Sequence, residues 1–257
     1  MNKFKWYVSG IGMVFVLVVA PSRAQTYSTQ VIQATANIFG AGTNSTPNPG
    51  GGTGGTIASN FLLNPGIGRI LTFSSVVSNS CSMSPGIVTV PDGLQADGTP
   101  AFGINLNINS YQGISGMRLE QGSGFLVGVF LDNAPTNSAP ARLEFTNNGT
   151  PGLIATSFGS LAPALQQNFF IGDGLTGNGM GSVQQFLIPD TATRLFLGFA
   201  DAGGYSGNPG HYEDNSGSIT VSFSSSASAA PEPGTLGLLA LGMLGGMLVR
   251  RQKGQWA

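Results

Sequence analysis

Between residues 25 and 225 no apolar run is longer than a β-strand, and Gly, Asn, Pro or Ser closes each one. No long pattern of helical period intervenes. That punctuation leaves only short strands and tight turns to build with, which predicts an all-β domain, a sandwich or a barrel. With 257 residues and 41% hydrophobic content the chain can bury one sizeable core. Its one cysteine, Cys81, allows no internal disulfide, so the core must supply the stability. Cys81 itself reads as a small buried residue. As a nucleophile it would need His211, the one histidine, which lies in a loop.

The expected strands follow in order. Residues 30–39 are the first candidate. The Gly/Asn/Pro/Thr tract 40–55 then reads as a surface loop or, alternatively, as one wall of a binding site. Residues 69–77 follow a Pro65-Gly66 turn, and 87–90 is a short strand ending at Pro91-Asp92-Gly93. Ile104, Leu106 and Ile108 alternate with Asn105, Asn107 and Asn109, one face apolar and one polar. Residues 125–131 read as a buried strand, with 142–145 extending its sheet. A further strand closes in the turn Gly172-Asp173-Gly174, and 184–188 leads towards Arg194. Asp92, Asp97 and Asp173 each precede Gly, so turn chemistry accounts for them. Gly172, Gly174 and Gly177 have a nucleotide-loop spacing, but no helical pattern follows them.

Both ends read as addresses. Lys3 and Lys5, an apolar run over 7–20 and Ser22-Arg23-Ala24 form a secretory signal peptide over 1–24. The alternative, a retained anchor, is disfavoured by a run short of the about 20 residues of a membrane span. After a Ser/Ala linker from 222 to 230 come Pro231-Glu232-Pro233, an apolar segment over 235–249, and the basic tail Arg250, Arg251 and Lys253 over 250–253. The basic cluster stays cytoplasmic by the positive-inside rule, which leaves 25–230 outside. Gly242 and Gly246 form a GxxxG pair suited to packing on another membrane helix. This order resembles the PEP-CTERM sorting signal of exopolysaccharide-producing Gram-negative bacteria. The resemblance implies a short C-terminal transmembrane helix lodged in the inner membrane and an exosortase, a membrane peptidase, as partner near Pro231-Glu232-Pro233. An ordinary C-terminal anchor shares this topology. The domain plan is then a signal peptide at 1–24, an exported body at 25–225, and linker plus sorting signal at 226–257.

Between the basic ends the chain carries four arginines, no lysine and all 11 acids, a net charge of −7. Such a body is a poor partner for nucleic acid and suits cations and neutral partners such as glycans. Leu195, Leu197 and Phe199 alternate along one strand; Ile219, Val221 and Phe223 alternate along another. Asp201 ends the first and Asp214-Asn215 begin the second. Paired as a hairpin, the two strands would bring two carboxylates and an amide together, a hard-oxygen set suited to Ca²⁺.

This stretch resembles the calcium-dependent, galactose-specific bacterial lectins, whose Asn-Asn-Ser-Gly-Ser run appears here as Asp214-Asn215-Ser216-Gly217-Ser218. The resemblance implies an antiparallel β-sandwich of galactose-binding, jelly-roll-like type. It also implies Ca²⁺ on Asp201, Asp214 and Asn215, a backbone carbonyl from 80–82, and a polysaccharide or other glycan bound through the ion. Tyr205 or Tyr212 would stack on the sugar. Two other readings stay open: a structural envelope or matrix protein with no specific ligand, and a glycoside hydrolase. The hydrolase needs paired carboxylates, and Glu120, Glu144 and Glu213 form no motif, so no enzymatic activity is expected.

Overall fold

The computed structural model describes residues 24–83, 97, 105–134, 136 and 138–227. The signal-peptide reading, the 87–90 strand, Pro231-Glu232-Pro233, the membrane segment and Arg250-Arg251 lie outside these residues. Ser22–Ser228 is one compact unit. It is built from strands, with three single-turn 3-10 helices among the described residues. No helix there is long and apolar enough to cross a membrane.

Three larger sheets carry the core. The first lays Gln25–Gln33, Ser216–Ala227, Arg69–Ser82, Gln185–Leu187 and Ser160–Leu161 side by side. The second runs Ile154–Ala155, Leu143–Thr146, Met117–Glu120, Leu106–Ile108, Ser206–Gly207. The third runs Asn168–Phe170, Val127–Leu131, Arg194–Gly198, Ser59–Leu62. Within Ser216–Ala227 the residues Ile219, Val221 and Phe223 are buried, while Ser218, Thr220 and Ser222 between them are partly exposed. That two-residue alternation aims one face at the core.

Phenylalanines join the sheets. Phe61 of the third meets Phe223 of the first edge-on at 5.1 Å, and Phe169 meets Phe186 at 5.3 Å. Phe170 of the third sheet meets Phe145 of the second at 5.9 Å. Such tilted and edge-on pairs add about 0.5–1.5 kcal/mol each beyond the area they bury.

Four expectations need correction. Leu143–Thr146 does not extend the sheet of Val127–Leu131: it belongs to the second sheet and that strand to the third. The sheets are mixed, not purely antiparallel: Met117–Glu120 pairs parallel with Leu143–Thr146. The chain leaves the second sheet after Glu120, adds Val127–Leu131 to the third, and returns in its original direction, which imposes a parallel pair. Arg194–Gly198 and Ser216–Ala227 are not a hairpin either. The first pairs with Ser59–Leu62 and Val127–Leu131, the second with Gln25–Gln33 and Arg69–Ser82. The segment between them crosses from one sheet to another. Finally, 222–227 is the end of the last strand, not linker: Ser224 pairs with Thr72 and Ala227 with Arg69. Serine and alanine carry little strand signal, and the partner strand decides.

Arg69 is buried, at 2% exposure. Its guanidinium donates to the carbonyls of Asn64, Pro189, Asp190 and Ala192. One side chain thereby fixes the 189–192 turn against the strand that carries it.

Candidate functional site

Asp201 follows the Arg194–Gly198 strand, and Asp214-Asn215 precede Ser216–Ala227. The crossing between them is folded back by Tyr212, which is fully buried. Its hydroxyl donates to the Phe199 carbonyl at 2.9 Å and accepts from the Asp201 N–H at 3.2 Å. One phenol thus draws the far end of the crossing onto its beginning. Asp201 is 2% exposed and Asn215 6%. Asp201 Oδ1 accepts from the Ala202 N–H at 2.8 Å, and the Asn215 amide donates to the Ala34 carbonyl at 3.2 Å. Three buried oxygens have no hydrogen-bond partner: Asp201 Oδ2, Asp214 Oδ1 and Asn215 Oδ1.

Burial pushes the Asp201 carboxyl up to about 8; the Asn215 amide and the Ala202 N–H pull it down, and the charges of Asp214 and Glu213 raise it. Burial likewise raises Asp214. Native proteins rarely leave buried acceptors unpaired. Hard oxygens with nothing to bind fit a hard cation. Ca²⁺ takes about 6–8 oxygens, so the remaining ligands would be carbonyls or water. Among the described residues, no group of three or more His, Cys, Asp and Glu could hold a metal. The 80–82 segment adjoins the site, for Ser82 pairs with Ser216.

The glycine-rich tract is strapped to the crossing between Asp201 and Asp214. Gly50 N–H donates to the Pro209 carbonyl, His211 N–H to Gly51 and Tyr212 N–H to Thr53. Glu213 accepts from the Thr53 N–H at 2.6 Å. At Gly52, with φ +63, a Cβ would lie 2.2 Å from a Glu213 carboxylate oxygen, so a side chain there would be strained and would displace the strap. Glu213 was scattered background in the sequence; its strap across 160 residues has no local signal. His211 is bonded to the Gly50 carbonyl at 3.1 Å and lies 3.4 Å from Glu213.

The stacking role of the tyrosines does not hold. Tyr212 has no exposed surface, and Tyr205 is 8% exposed with its hydroxyl on the Met83 carbonyl. Neither ring offers a face to a sugar. Cys81 is buried and its thiol is pushed up to about 12 by burial, so it holds no thiolate for nucleophilic attack. Glu120 and Glu144 are tied to Arg118 and Arg142 in ion pairs.

A second acidic pair lies elsewhere. Asp173 accepts from the N–H groups of Leu175 and Gly179, the turn chemistry read from the sequence. Asp97 accepts from the Asp173 N–H at 2.8 Å. Burial and then the Asp173 charge push Asp97 up to about 7. A raised carboxyl stabilises the fold fully below its ordinary range near 3.8 and loses that contribution as pH rises through about 7. Melting temperature is therefore expected to fall between about pH 4 and 7, by the equivalent of a few kcal/mol at most. Asp97→Asn should flatten the slope; an unchanged slope would show that the pair does not titrate there.

Residues 229–252 match the PEP-CTERM protein-sorting motif. The motif marks an exported protein sorted through the membrane to the cell surface, and it implies processing by an exosortase membrane protease. No curated protein and no solved structure matches the chain. Replacing Pro231, Glu232 and Pro233 together by alanine is expected to leave the chain unprocessed in the membrane fraction of an exosortase-bearing host. Fractionation and immunoblotting read the outcome, and normal release would assign the signal to other residues.

Proposed function

We propose that this is a cell-surface structural protein of a polysaccharide-rich envelope, sorted by an exosortase, whose β-body is braced by one Ca²⁺ ion. The observation that supports the brace is the set of three partnerless buried oxygens on Asp201, Asp214 and Asn215. A cation there would tie the end of one sheet to the start of another and would hold the strapped 48–55 tract in place. It would replace the disulfides that a one-cysteine exported chain cannot form. The lectin resemblance instead implies a sugar bound through the ion. The burial of the three oxygens favours an enclosed ion over one that opens to sugar hydroxyls. Calorimetric titration of Ca²⁺ into the exported body tests the proposal. Saturable heat near one ion per chain supports it, and no heat removes it.

A further inference from the structure

We propose that a second cavity, remote in sequence from the cation site, binds a neutral saccharide unit. It has a volume of about 400 Å³ and is lined by Asp97, Asn147, Thr156, Thr176 and Asn178 over an apolar floor at Phe170. That volume falls in the range of small-ligand sites, about 300–1,000 Å³, and suits one or two pyranose rings. Among the described residues no lysine or arginine lines it, so they offer a phosphate or carboxylate no cation to pair with.

The lining is built for hydroxyl groups. Thr156 donates to the Asn147 side-chain oxygen at 2.7 Å, and Thr176 accepts from the Ser182 N–H at 3.0 Å, which fixes both hydroxyls. The Asn178 amide and the Ser157 hydroxyl, both exposed and both lining the cavity, have no partner among the described residues. They supply free donors and acceptors beside oriented ones, the arrangement a polyol needs. Asp97, the one carboxyl among the described lining residues, accepts from the Asp173 N–H at 2.8 Å. Burial and the nearby Asp173 charge favour its neutral form, in keeping with a neutral ligand.

The glycine set at 172–177 acquires a role here. Gly172 and Gly174 have φ of +59 and +77 and turn the chain into the Leu175–Gly177 and Met180–Val183 pair. A Cβ on Gly172 would sit 2.0 Å from Asp97 Oδ1. Glycine at that place is what lets Asp97 reach the cavity wall. The inference does not depend on the cation.

The test is an array of neutral and anionic oligosaccharides probed with the full chain in mild detergent, in calcium chloride and again in EDTA. Retention of neutral glycans, equal in both buffers, is expected. Asn178→Ala should lower it about tenfold, the worth of one or two hydrogen bonds. Ala155→Trp, which fills the cavity from an exposed lining position, should abolish it. Melting curves of the variants confirm that they fold. The proposal is overturned if no neutral glycan is retained, if only anionic glycans are, if Ala155→Trp retains binding, or if EDTA removes it.

Discussion

In excess Ca²⁺ the exported body is expected to melt about 5–10 °C higher than in EDTA. The estimate rests on mass action: a ligand at about a hundred times its dissociation constant stabilises by about 2.7 kcal/mol. A body of this size gains about 2–4 °C for each kcal/mol. The source of the gain is the unpaired set on Asp201, Asp214 and Asn215. Without a cation, burial disfavours the charged form of both acids, and Asp201, raised to about 8, keeps its proton near neutral pH, so the ion must displace that proton to bind. Asp214→Asn should erase the calcium shift. Asp201→Asn should erase it too, and should raise the melting point in EDTA, because a neutral amide replaces a buried acid. A calcium shift within about 1 °C of zero, or one that survives both substitutions, would leave the loop as a brace of hydrogen bonds alone.

Arg69→Ala is expected to destabilise the body by about 3–5 kcal/mol, the scale of a broken buried charge network. The substitution removes donors from four carbonyls, those of Asn64, Pro189, Asp190 and Ala192, and leaves a cavity at a site 2% exposed. Burial lowers the Arg69 pKa and the Asp190 charge opposes that, yet a guanidinium stays charged in any case. Arg69→Met separates the two contributions. It fills most of the volume but pairs none of the carbonyls, so its loss measures the hydrogen bonds. Denaturant melts read both variants. A cost under about 1 kcal/mol for alanine would mean that the 189–192 turn finds water when the guanidinium is gone.

Strand faces were legible in the sequence where alternation was strict. Leu106 and Ile108 are fully buried with Asn107 exposed between them, as their spacing predicts. The buried run over 125–131 contains the fully buried Val127–Leu131 strand. Alternation, however, names a face and not a partner. Nothing local distinguishes a hairpin between 194–199 and 216–223 from the actual crossing between two sheets. Nor does a pattern of two reveal the first strand at Gln25, because Thr29, at φ +55, interrupts its pairing with a bulge. At the candidate site, Asp201 and Asn215 could be picked out because polar residues at strand ends are conspicuous. The strap from Glu213 to Thr53 and the contact of Asp97 with Asp173 span 160 and 76 residues. Such contacts exist only once the sheets have assembled.

The order of strands in the first sheet bears on how the protein matures. Ser216–Ala227 is the last strand in the chain, yet it lies between Gln25–Gln33 and Arg69–Ser82. A polypeptide threaded outward from its N-terminus delivers both neighbours long before the piece that joins them. Until then each presents a bare strand edge, the kind of surface that invites wrong pairing. Residues 229–252, which carry the sorting signal, begin just past that last strand. The sheet can therefore close only once the chain has been delivered up to the threshold of its sorting motif.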